Sequence, residues 1–174
     1  LPKEKKEISR NLVRELQTAA LEWMRYDKQY PLVALERGTV SGTPDVFGVH
    51  KNRFTTEIEI KISVSDFRAN RKKEHVIRRE SGVYRNSYIP NYFYYLVPPE
   101  LVDKIRPEVE AQNGLMTLGT GKSYSGVRPL VVLKPALRNH TRRQTIKQCV
   151  QMAQAVSGTL VSLCAALHKK DLTP

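Results

Sequence analysis

From Glu57 to Ile62 the chain alternates strictly between charged and apolar side chains, Glu-Ile-Glu-Ile-Lys-Ile. A period of two belongs to an extended strand and does not fit a helix, whose faces repeat about every 3.6 residues. Ile58, Ile60 and Ile62 therefore face a core, while Glu57, Glu59 and Lys61 project together from the other side. Residues 45–50 form a second strand-like stretch across Lys51-Asn52-Arg53, so 45–50 and 54–62 read as an antiparallel hairpin. That hairpin carries Asp45, just after Pro44 and fourteen residues before Glu59, to the Glu59 and Lys61 end of its partner.

The remaining pattern places this hairpin inside one α/β domain. Residues 7–26 read as a helix through the apolar stripe Ile8, Leu12, Leu16, Ala19, Ala20 and Trp23. Residues 30–35 look like a strand, and Gly38 and Gly42 bracket a turn or bend. Ser63-Val64-Ser65-Asp66 can cap a helix running from about 66 to 80, because a hydroxyl accepts an unpaired N–H and Asp66 favours the positive end. Tyr92–Val97 is the strongest strand signal and stops at Pro98-Pro99. A short helix at 101–105 ends before Pro107, and strands at 115–118 and 130–133 flank a Gly- and Ser-rich turn. The last helix spans 141–168, with Ile146, Cys149, Val150, Ala153, Val156, Leu160, Leu163 and Leu167 at helical spacing and Gly158 as a point of bending. These elements predict a single domain with a mixed sheet, its core at about 8–135 and a helical extension at about 136–170.

Charge narrows the partner. Lys and Arg outnumber Asp and Glu by 29 to 17, a formal charge of +12, and from Ala111 to Lys170 there is no acidic residue. Such an excess captures polyanions, nucleic acid foremost; it also suits a basic surface for an acidic protein or anionic lipid. No apolar run reaches the roughly 18 residues of a membrane span. Cys149 and Cys164 lack metal-ligand spacing and read as free thiols in a reduced setting, cytoplasmic or nucleoid-associated.

Asp45 and Glu59 offer the hard oxygens that Mg²⁺ takes while keeping several waters for substrate phosphate to displace. The Ile60 carbonyl lies between Glu59 and Lys61 and can add a ligand, and Lys61 can orient or help deprotonate a water or stabilise phosphorane charge. Glu57, one strand period away, is expected at the surface or just behind the site. The same residues also describe an ordinary hairpin with a charged face, since Asp after Pro often starts a turn.

Pro44-Asp45 with Glu59-Ile60-Lys61 resembles the PD-(D/E)xK signature of restriction-endonuclease-like nucleases, and Ile62-Ser63-Val64-Ser65-Asp66-Phe67-Arg68-Ala69-Asn70-Arg71-Lys72 is similar to a subgroup of small DNA-repair endonucleases. The likeness extends over about residues 12–135, through Tyr92–Pro99 and Gly114-Leu115-Met116. It implies a central mixed sheet flanked by helices, Mg²⁺- or Mn²⁺-dependent hydrolysis, and Asp45, Glu59 and Lys61 as the active residues. A further glutamate from the first helix is implied, Glu15 by position, with Glu22 and Glu36 as alternatives. Asn70 departs from the subgroup, which tends to carry an acid there, and the last helix falls outside the likeness.

Arg68, Arg71, Lys72 and Arg79, with Lys73, His75 and Arg78 among them, would meet DNA phosphates and position a backbone without reading bases. Tyr84 and Tyr88 are candidates for stacking on bases, whereas Tyr92–Tyr95 read as sheet core. Gly119-Thr120-Gly121-Lys122-Ser123 lacks the spacing of a phosphate loop, which excludes ATP binding on that motif. The expectation is a Mg²⁺-dependent endonuclease for DNA in repair, recombination or phage–host processing, with a homodimer through the last helix as a further possibility. A non-catalytic DNA-binding or partner-recruiting module on the same fold is the alternative, and a structural protein that meets an acidic partner is the third.

Overall fold

The isoleucine-rich strand lies in the interior of a six-stranded sheet. The computed structural model describes residues 3–36, 43–71 and 89–171. Its strands are β1 (Leu32–Leu35), β2 (Val46–Val49), β3 (Thr55–Ile60), β4 (Tyr92–Leu96), β5 (Gly114–Leu118) and β6 (Leu130–Lys134), ordered β1-β2-β3-β4-β5-β6. β1, β2 and β3 pair antiparallel, β3, β4 and β5 pair parallel, and β6 returns antiparallel to β5. The helices are α1 (Lys3–Glu22), α2 (Val64–Arg71), α3 (Val102–Ile105) and α4 (Ile146–Asp171). The fold is thus α/β, a central mixed sheet flanked by helices with a long C-terminal helix.

Side-chain alternation assigns the two faces. Val46, Ile58, Ile60, Tyr94, Leu96, Met116 and Leu118 pack on Leu16, Ala19, Ala20, Trp23 and Met24 from the first helix. That helix ends in one wider π turn, Trp23–Asp27, closed by Lys28 N–H on the Trp23 carbonyl at 2.9 Å. The turn sets Met24 and Tyr30 against Gly48 so closely that an added Cβ would lie 2.7 Å from Met24 Sδ and 2.6 Å from the Tyr30 ring. Tyr30 and His50 both hydrogen-bond the Thr56 hydroxyl, at 3.0 and 3.1 Å, which accounts for His50 without a metal role.

The opposite face is covered as well, and this changes one expectation. Phe67 of α2 and Val102 and Ile105 of α3 pack on Phe93, Tyr95, Val97 and Leu115, while Cys149 and Met152 of α4 cover Phe47 and Val49. β3 is consequently buried on both sides: Glu57 is only 5% exposed and Lys61 4%. Glu57 is therefore no surface residue. It sits between Phe47 and Phe93 in the sheet register, because the helices that roof the neighbouring strands leave no wet side at that level.

α4 begins at Ile146, the first residue of its apolar stripe, and not at the expected Thr141. Residues 135–145 form a strap without helix or strand, and the helix starts where Thr145 and Gln148 cap each other: Thr145 N–H donates to Gln148 Oε1 at 2.8 Å and Gln148 N–H to Thr145 Oγ1 at 3.2 Å. This reciprocal bond satisfies two N–H groups that a helix start leaves open. Beyond Met152 the helix leaves the body, with Leu160, Val161 and Leu163 each more than half exposed, and Gly158 sits in open space without a break in the helix. Among the described residues no helix is long and apolar enough to cross a membrane. The part of the expected basic helix beyond Arg71, the Gly38–Gly42 bend, and Tyr84 and Tyr88 lie outside the described residues.

Candidate active site

β1, β2 and β3 place the charged residues through their register. Leu35 pairs with Val46 and Val46 with Ile58, so the residue before β2 and the residue after β1 meet at the C-terminal end of β3. Those residues are Asp45 and Glu36, joined by Glu36 N–H on the Asp45 carbonyl at 3.0 Å. Asp45 Oδ2 accepts the Ile60 N–H at 2.6 Å, closing the β2–β3 ladder with a side chain in place of a carbonyl. In an extended strand a residue's N–H and C=O leave by the same edge, so the Ile60 carbonyl also belongs to the Asp45 side of β3.

Lys61 continues the parallel pairing, its N–H on the Leu96 carbonyl at 3.0 Å. Its buried ammonium donates to Glu59 Oε1 at 2.9 Å and lies 3.7 Å from Asp66 Oδ2 at the start of α2. α2 starts there because the Ser63 hydroxyl accepts the Asp66 N–H at 3.1 Å, the cap its sequence announces.

Electrostatics follow from crowding. Burial, then the neighbouring Glu59 carboxylate, push Asp45 up to about 6, against the opposing Ile60 N–H and Lys61 ammonium; Glu36 adds to the upward push. Asp45 and Glu59 thus crowd together beside the Lys61 ammonium, a repulsion that a divalent cation would relieve. Mg²⁺ is commonly held by one or two carboxylates plus waters, which the Asp45–Glu59 pair can furnish. No group of three or more His, Cys, Asp or Glu side chains is arranged to hold a metal among the described residues.

Glu15 is not brought into this corner. Its carboxylate accepts Arg128 Nε and Nη2 at 2.9 and 3.0 Å, and those bonds hold it below the usual carboxylate range. Glu22 is likewise occupied, accepting the Ser125 N–H at 2.8 Å. Of the acids that the resemblance left open, Glu36 is the one adjacent to Asp45, and its own carboxylate accepts Gln17 Nε2 at 3.1 Å. Its place follows from the β1–β2 pairing, which sets the residue after β1 against the residue before β2. Arg68, expected on phosphate, meets both oxygens of Glu108, at 2.6 and 3.2 Å. The side chains of Arg71, Lys72 and Arg79 fall outside the described residues.

In fold, the chain is similar to a protein of unknown function from Silicibacter pomeroyi, with a TM-score of 0.52 and 15% identity over 80% of this chain and 81% of that one. At that identity the likeness concerns architecture alone. No protein-family model and no curated protein matches the chain.

Proposed function

We propose that the chain is a Mg²⁺-dependent nuclease, Mn²⁺ serving as a substitute, with a restriction-endonuclease-like core that hydrolyses DNA phosphodiesters. One observation carries the reading: the Asp45–Ile60 bond at 2.6 Å fixes Asp45 beside Glu59, with Lys61 buried next to them. Asp45, Glu59 and the Ile60 carbonyl would hold the metal, whose chemistry is to neutralise phosphate charge and acidify a bound water. Lys61, kept in place by Glu59 and the Leu96 carbonyl, would orient that water. The substrate would be intracellular DNA, in the cytoplasm or on the nucleoid.

A second reading, a DNA-binding or partner-recruiting module without catalysis, draws support from the Lys61–Glu59 ion pair and from Glu15 being spent on Arg128. Purified protein incubated with linear, nicked and branched DNA separates the two. Cleavage in Mg²⁺, absent in chelator and abolished in Asp45→Asn and Lys61→Ala, supports the nuclease; retention of cleavage in both variants refutes this site. Salt-sensitive binding with no cleavage favours the second reading.

The exposed stripe of α4 supports a homodimer as a further proposal. Ala153, Val156, Leu160 and Leu163 alternate spacings of three and four, and no charged residue occurs from Gln148 to Ala165. This uncharged surface is where two strongly cationic chains could approach without repulsion.

A further inference from the structure

The strap between β6 and α4 runs across the end of the sheet opposite to Asp45 and Glu59. Leu137 N–H donates to the Gln112 carbonyl at 2.9 Å, Asn139 N–H to Asn91 at 2.8 Å, and Gln144 N–H to Arg53 at 3.0 Å. Gln112, Asn91 and Arg53 stand just before β5, β4 and β3, so the strap passes the N-terminal ends of these three strands in that order. It is clasped midway: Asn91 Nδ2 donates to the carbonyls of His140 and Arg142, each at 2.9 Å, while Asn91 Oδ1 accepts the Thr55 N–H at 2.8 Å.

This fixed ridge is cationic. Arg138, Arg142 and Arg143 are exposed along it, Lys147 follows in the first turn of α4, and Lys51 and Arg53 join from the hairpin turn. Neither residues 46–56 nor residues 111–170 contain an Asp or Glu, and among the described residues none of these six cations forms an ion pair. Arg138 and Arg143 each hold a guanidinium 5.3 Å from the centroid of the same Phe54 ring. Stacking orders planar forks that would otherwise lose rotamer freedom on binding, and such forks donate two N–H groups to the oxygens of one phosphate.

We infer that the strap and the β2–β3 turn form a second nucleic-acid surface, one that holds a phosphate backbone away from the carboxylate corner. The ridge spans three strands, about 10 Å, and a nucleic-acid strand advances about 3.4 Å per phosphate, so two or three phosphates lie along it. The run of β3 from Thr55 to Glu59 sets the ridge about 13 Å or more from Glu59. Nothing on the ridge is shaped to enter a groove, so its contacts are independent of sequence. The inference rests on the nucleic-acid part of the proposed function and not on catalysis.

The test is binding of a fluorescein-labelled duplex and a labelled single strand to the full chain in chelator, from about 50 to 200 mM salt. The triple variant Arg138→Gln, Arg142→Gln, Arg143→Gln should weaken binding about tenfold or more and flatten the log K against log salt slope by two to three, about 0.9 per lost contact. A control triple with the same charge change, Lys104→Gln, Arg106→Gln, Lys122→Gln, should leave the slope within about one of wild type. Arg142→Gln alone, which disturbs no ring, should lower the slope by about one and keeps the test open if the triple fails to fold. Equal losses in strap and control triples, an unchanged slope in Arg142→Gln, or binding of anionic phospholipid vesicles without nucleic acid would each overturn the inference. Strap-dependent binding in chelator, with no cleavage once Mg²⁺ is added, sustains it and sinks the catalytic reading; cleavage in Mg²⁺ with strap-independent binding does the reverse.

Discussion

Replacing Asp45 with Asn should make the protein more stable at neutral pH while removing a proposed metal ligand. In the fold Asp45 titrates at about 6, against an ordinary value of 3.8, because burial and Glu59 oppose its charge. A raised carboxylate pKa means that the folded state holds its proton to higher pH than the unfolded chain does. The associated stability is complete below about pH 4 and is lost as pH rises towards about 6, so the charged form destabilises the fold above that window. A shift of about two units corresponds to a ceiling of about 3 kcal/mol, and partial solvent contact reduces this to about 1–2 kcal/mol. Asn keeps an oxygen for the Ile60 N–H without the charge, so the variant should gain about 1–2 kcal/mol at pH 7.5 and almost nothing at pH 4. Urea unfolding followed by circular dichroism in chelator, at both pH values, reads the difference directly. Mg²⁺ should then stabilise wild type more than the variant. A variant no more stable than wild type at pH 7.5 would refute the claim that Asp45 is electrostatically strained.

Gly48→Ala should destabilise the fold by about 1–3 kcal/mol in thermal unfolding, since its Cβ would meet Met24 Sδ at 2.7 Å and the Tyr30 ring at 2.6 Å. Asn91→Ala removes the bonds that tie Thr55 to the strap, and a loss of about 2–4 kcal/mol together with faster amide exchange at Asn139 and Gln144 is expected. Leu160→Glu in α4 should turn a dimer into a monomer in light scattering with little change in the melting of the body, because that side chain is 61% exposed. An unaltered mass in a dimeric wild type would remove α4 from the interface.

Strand identity was legible because its signals are local. The Glu-Ile alternation, the proline stop after Val97 and the aromatic run at Tyr92–Tyr95 each correspond to a strand in the sheet. The approach of Asp45 to the Glu59 end of β3 was legible too, since a hairpin leaves only one register that keeps the isoleucines inside. That Glu36 and not Glu15 stands beside Asp45 was not. It depends on β1 pairing with β2, and Arg128, more than a hundred residues away, captures Glu15. The start of α4 likewise depends on distant residues. No helix breaker stands between Thr141 and Ile146, yet Asn91 and Arg53 bind the backbone of residues 139–144, and the Thr145–Gln148 cap sets the first turn.

By itself the sequence determined the element types, the strongly cationic balance and the pairing of Asp45 with Glu59 and Lys61, because periodicity, composition and hairpin geometry act over a few residues. Tertiary structure alone decided that β3 is buried on both faces, that Glu57 is interior, and that Arg68 is paired with Glu108. It also decided that the acid-free C-terminal stretch contributes a clasped ridge of arginines at the far end of the sheet. Each of these depends on which distant segment roofs or neutralises a residue, and that contact carries no mark in the residue's own surroundings along the chain.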